Sequence, residues 1–218
     1  MALVANITLV ALSLLMGLRL LQQYRGRPHP HTLWYGVGLV LAAVASFPEV
    51  FRGITGSLPT FLWWTYWVAA SALVGYLSVG TAYLLSPKAG KVALVSATVL
   101  TAALLVATVA TAGPAPTIFT DATFAKAPNA FIKTPFLIQN IAGALLIFGG
   151  AAWTFFRIRA WFAVWIALGT LLFTVGGTSS GIFKSPALFY FTQMAGIIVL
   201  YFGITQSTRP RQKKQAAA

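Results

Sequence analysis

The sequence predicts an all-α membrane protein, a bundle of seven transmembrane helices in one membrane domain. Three observations predict it. Of the 218 residues, 58% are hydrophobic and only 8% charged, where a soluble domain carries about 25% charged residues. Apolar runs of about 20 residues, the length that crosses a bilayer, fill nearly the whole chain. These runs are apolar on every face, whereas the strands of a membrane barrel alternate over roughly ten residues.

The expected spans are 2–22, 33–51, 60–85, 92–113, 134–156, 161–182 and 186–206. The first opens on Met1-Ala2-Leu3-Val4 and is followed by Arg19, Arg25 and Arg27. That is the reverse of a signal peptide's polarity, so the run reads as a membrane helix with the N-terminus outside. The second span ends near Pro48, Glu49 and Arg52. The third begins with Trp63, Trp64, Tyr66 and Trp67, which are expected in an outer interfacial belt where amphipathic rings sit at headgroup depth. The fourth leads to the one longer connection, Gly113 to Lys133, made irregular by Pro114, Pro116 and Pro128. The fifth, sixth and seventh follow with short loops, so that sequential helices should be antiparallel neighbours. The membrane domain is expected over 1–208. The tail 209–218, with Arg209, Arg211, Lys213 and Lys214, is expected to be cytoplasmic, basic and disordered.

The loop charges fit this orientation. Eleven of the fifteen Lys and Arg fall on the proposed inner side, at Arg19, Arg25, Arg27, Lys88, Lys91, Arg157, Arg159 and the four tail residues. Arg52, Lys126, Lys133 and Lys184 fall outside, as do both acids, Glu49 and Asp121. Such a bias follows the positive-inside rule and places the C-terminus in the cytoplasm. The expected location is therefore the cell membrane, multi-pass, meaning the inner or cytoplasmic membrane in a bacterium.

A parallel 3+1+3 repeat is also expected, with the first three helices recurring as the last three. An offset of 131 aligns Trp34 with Trp165, Gly38 with Gly169 and Leu41 with Leu172. An offset of 134 aligns Asn6 with Asn140 and Arg25 with Arg159. Some transporters are built from repeats, with substrate held between them near the midplane.

Polar groups inside spans are the candidates for function, because lipid makes them costly. Glu49 stands just after Pro48, which loosens a helix and frees a carbonyl. Arg52 lies one turn on, along the same face. The pair reads either as a gate and counter-charge or as an interfacial ion pair at the membrane edge. Asn6, Gln139, Asn140 and Gln193 should seek partners on other helices. Asn6, Asn140 and Gln193, with Glu49, form the candidate ligand-binding set. Gly176, Gly177 and Gly181 are candidate gating or close-packing positions.

Several chemistries are excluded. The chain has no cysteine, which removes thiolate nucleophiles and Cys-ligated metals. His29 and His31 share one loop with no acid nearby, so no metal, haem or other cofactor is expected. No nucleophile stands with a base and no acid–base pair appears, so no catalytic residue and no enzyme is expected. The net charge of +13 is spread through short loops rather than gathered on one soluble face, which argues against nucleic acid. In outline the chain resembles a microbial rhodopsin, a family that holds retinal on a lysine in the last helix. The span 186–206 has no lysine, so a retinal pigment is excluded.

The function expected is non-enzymatic transport or binding of a small or lipid-like molecule within the helix bundle. An accessory subunit of a larger membrane complex is the alternative, and a seven-helix sensor the second. The bilayer is the expected partner, with anionic lipid at the basic tail and a membrane protein as further possibilities.

Overall fold

A computed structural model describes the backbone of residues 2–116, 129–182 and 186–207, and side chains over 3–116, 129–173 and 191–207. Asp121, Lys126, Lys184 and the tail from Arg209 lie outside the described residues. Among the described residues there are seven helices and no strand. They are α1 (Ala2–Gly26), α2 (Pro30–Thr55), α3 (Thr60–Leu85), α4 (Pro87–Thr111), α5 (Ala130–Ile158), α6 (Trp161–Ile182) and α7 (Pro186–Ser207). Five of them, α1 to α5, are long and apolar enough to cross a membrane. That is the composition of a membrane-embedded helical bundle.

Local chemistry sets the ends. Ser86 caps α4 by accepting from the Ala89 N–H at 3.1 Å, with Pro87 in the first turn, where its missing N–H costs nothing. Asn129 caps α5 by accepting from Ile132 N–H at 3.1 Å. Its amide nitrogen donates to the Thr111 carbonyl at 2.8 Å, tying the end of α4 to the start of α5. This cap starts α5 at Ala130 rather than at 134, so Lys133 lies in its first turn. Gly56 closes α2 in the left-handed region at φ 74°, the conformation glycine adopts without strain. Arg159 closes α5 in the same region at φ 47°, its N–H donating to Phe155 carbonyl at 2.7 Å.

Two prolines sit inside helices rather than at their ends. α2 continues about two turns beyond Pro48 to Thr55, and α5 runs through Pro135. Packed neighbours make this tolerable in a bundle, and Pro48 is itself buried. α6 remains helical through Gly176, Gly177 and Gly181.

The helices form a ring. In order around it come α1, α2, α3, α5, α6 and α7, and α7 returns to touch α1 and, slightly, α2. Among the described residues α4 touches α3 and α5 alone, so it stands outside the ring. Inside, one apolar cluster draws on all six ring helices, including Leu9, Tyr35, Leu39, Leu73, Leu77, Ile147, Ile166 and Leu200. A second lies where α3, α4 and α5 meet near the α2–α3 loop, around Leu62, Trp63, Trp67, Leu104 and Ile132.

Small residues set the closest approaches. A Cβ at Gly196 would fall 2.7 Å from the Phe173 backbone nitrogen, and one at Gly203 would fall 2.8 Å from that of Ile166. Gly169 faces the Leu200 backbone in the same way. Without a water-driven hydrophobic force, such backbone-on-backbone packing is a main source of helix association in lipid. It locks α6 and α7 into one hairpin.

Candidate functional site

The best-defined polar constellation joins α3, α4 and α5. Gln139, on α5, is 2% exposed. Its Oε1 accepts from the Ser71 hydroxyl of α3 at 3.1 Å. Its Nε2 donates to Thr101 Oγ1 of α4 at 3.0 Å and to the Ala97 carbonyl at 3.5 Å. Both amide protons and the amide oxygen are thereby used. Gly75 makes room for the amide: any Cβ there would collide with Gln139 Nε2.

Asn140, next along α5, is half-buried. Its Nδ2 donates to the Phe136 carbonyl of its own helix at 2.8 Å, and to Ser71 Oγ at 3.4 Å. Asn140 therefore joins this three-helix clasp through Ser71. Asn6, buried at 5% exposure, stands in the second turn of α1, whereas Asn140 stands in the third turn of α5. Gln193, on α7, is buried at 8% exposure. Five helices thus each carry a buried or half-buried side-chain amide or its hydroxyl partner, but the clasp gathers only the α3–α5 set.

Glu49 and Arg52 are half-buried near the end of α2. Trp63 and Trp67 are 3% and 2% exposed and point into the bundle. Trp67 meets Trp63, Tyr66 and Phe136 edge-on, with centroids 5.2 to 5.6 Å apart, the arrangement aromatic quadrupoles favour. Trp64, in the same row, donates to the Gly113 carbonyl at 3.0 Å.

A second buried contact joins α2 to α3, where the Tyr35 hydroxyl meets Thr81 Oγ1 at 2.9 Å. His29 and His31 stack at 5.6 Å in the turn that opens α2. The surroundings of Gly176, Gly177 and Gly181 lie outside the described side chains.

Sequence reasoning passed over Ser71, Thr101, Tyr35 and Thr81. A serine or threonine in a membrane helix turns its hydroxyl back on its own carbonyls by default, so composition alone does not mark the ones that reach across. The signal available was the spacing Ser71, Gly75, Ser78 on α3: small and polar residues one turn apart let a neighbouring helix come close. Chemically the clasp is a neutral hydrogen-bonding set. It can orient a polar group or hold three helices in register, and it offers no nucleophile–base pair. Compared with known protein families, curated proteins and solved structures, the chain gives no match.

Proposed function

We propose that the chain is a non-enzymatic, multi-pass membrane protein that binds or carries a small, weakly polar or lipid-like molecule within the ring of α1–α3 and α5–α7. In this reading all seven helices cross the membrane, the N-terminus is outside and the C-terminus cytoplasmic, as the loop charges favour.

The observation that carries the proposal is the order of the ring. α1, α2 and α3 are followed by α5, α6 and α7, with α4 set aside. Rotating the ring by half a turn exchanges the triplets and matches the α3–α5 seam to the α7–α1 seam. That cyclic order is what a 3+1+3 repeat with a linking helix requires, and repeat interfaces are where transporters place their substrate. Asn6, Asn140 and Gln193 supply neutral polar groups on α1, α5 and α7, and Glu49 a charge on α2. A set dominated by amides suits a ligand of low charge, since ion-coupled cycles ordinarily use several buried ionisable groups.

Native mass spectrometry in lipid nanodiscs tests this. A small molecule or particular lipid should be retained at fixed stoichiometry, and Asn140→Ala with Gln193→Leu should reduce its retention. Glu49→Gln should weaken it if that charge contacts the ligand. No retained molecule under any lipid composition would contradict the proposal.

One observation favours an accessory subunit instead. α4 presents Val92, Val95, Val99, Val106 and Val109 outward, a small β-branched surface that suits another membrane helix as well as lipid. In the same spectra that reading predicts a second protein and no small ligand.

A further inference from the structure

Thr108 and Trp67 each bury a polar atom that finds no partner among the described residues, the hydroxyl Oγ1 and the indole Nε1. Thr108 is 0% exposed and Trp67 2%. Neither side chain uses the local solution adopted elsewhere in the protein. Thr65, Thr111, Thr134 and Thr154 turn their hydroxyls back on the carbonyl four residues earlier, at 2.6 to 2.9 Å. Thr108 makes no such bond to Leu104. The indole of Trp64 finds the Gly113 carbonyl at 3.0 Å, while that of Trp67 finds none.

Register places the two atoms on facing stretches of helix. α3 and α4 run antiparallel. Tyr76 meets Thr98 at 3.4 Å, Gly90 faces the Tyr83 ring, and Trp64 reaches Gly113. Counting from these pairs sets Thr108 opposite Trp67. Leu104, one turn from Thr108, shares an apolar cluster with Trp67 and Ile132. From the α5 side, Thr101 pairs with Gln139 and Thr111 with Asn129, which sets Ile132 opposite Thr108. An N–H donor and a hydroxyl thus stand at one level of the α3–α4–α5 junction, enclosed by apolar side chains.

We infer that this junction holds one ordered water molecule. The indole N–H of Trp67 and the hydroxyl of Thr108 both donate to the water oxygen. One water proton is available to the Leu104 carbonyl, whose remaining lone pair the Thr108 side chain does not take. Buried waters make two to four such bonds, and burying both groups without them would be costly. Thr111, exposed and one turn nearer the helix end, gives water a route of about 4.5 Å along α4. Beyond the Gln139 clasp deeper in, the site adds a further polar attachment of α4 to the ring.

The isosteric change Thr108→Val tests the inference, read by thermal midpoint and by the indole N–H resonance of Trp67 in ¹⁵N-labelled protein, assigned with Trp67→Phe. Thr108→Val should lower the midpoint and move the Trp67 resonance while leaving that of Trp64 in place. Thr108→Ser, which keeps the hydroxyl, should leave both near the parent values. The double variant with Trp67→Phe should lose less than the sum of the single losses, because both ends serve one water. A rise in midpoint for Thr108→Val, the result for a hydroxyl with nothing to bond, would overturn the inference. So would an unmoved Trp67 resonance or strictly additive losses.

Discussion

α3 and α4 are neighbours of nearly equal length, and they solve opposite problems. In their most apolar eighteen-residue stretches, 61% of α3 is buried within the protein against 17% of α4. α4 is nevertheless the more hydropathic helix. α3 buries Ser71, Ser78 and Thr81 and uses Gly75 and Gly80 to admit neighbours. α4 turns Val92, Val95, Val99, Val106 and Val109 outward, each between 52% and 68% exposed. The usual rule of soluble proteins is inverted. In lipid the apolar surface already has a good solvent, so what draws a helix inward is close packing and hydrogen bonding. The helix with more glycine and hydroxyl groups becomes central, and the more greasy one stays at the edge.

Three substitutions probe that contrast. The largest effect is expected at the centre. Gly75→Leu would force a side chain into the space of the Gln139 amide, and such overpacking costs about 1–3 kcal/mol. Equilibrium unfolding in mixed micelles measures it, and adding Gln139→Ala should recover part of the loss. A smaller effect is expected at the clasp. Gln139→Leu removes the bonds to Ser71 and Thr101. Interhelical bonds of this kind contribute about 0.6 kcal/mol on average and up to about 1.7 kcal/mol in membranes, so a loss near 1 kcal/mol is expected by the same assay. The smallest is expected on the outer face of α4, where Val99→Ala removes lipid contacts alone and should stay within about 0.5 kcal/mol of the parent. A larger loss there would point to a helix partner on α4.

The helices themselves were legible because each apolar run is long and bounded by chemistry that ends helices. Ser86-Pro87 and Gly56 carry boundary signals that place the start of α4 at Pro87 and the end of α2 at Thr55, outside the expected spans 92–113 and 33–51. The second span, expected to run through Pro48 to residue 51, is part of a helix that continues to Thr55. Which face of each helix turns inward was not legible. A helix apolar all round has no periodicity to orient it, so the turning of Trp63 and Trp67 into the bundle was not readable from the sequence. For the same reason, the adjacent amides Gln139 and Asn140 were both visible as buried polar groups. Only the geometry shows that Gln139 is the centre of the clasp and that Asn140 joins it through Ser71. The place of α4 outside the ring is a property of the contacts between helices, to which hydropathy is blind.

The contrast between α3 and α4 can be tested in one experiment, because the chain has no cysteine and takes a single spin label at any chosen site. Nitroxides at Val92, Val99 and Val106 of α4 and at Ser71, Leu77 and Ser78 of α3 would be compared in nanodiscs by power-saturation EPR, with oxygen as the lipid-soluble relaxant. The architecture predicts strong oxygen relaxation at the three α4 sites and weak relaxation at the three α3 sites. Equal oxygen access on both helices, or α3 sites more accessible than α4 sites, would contradict it.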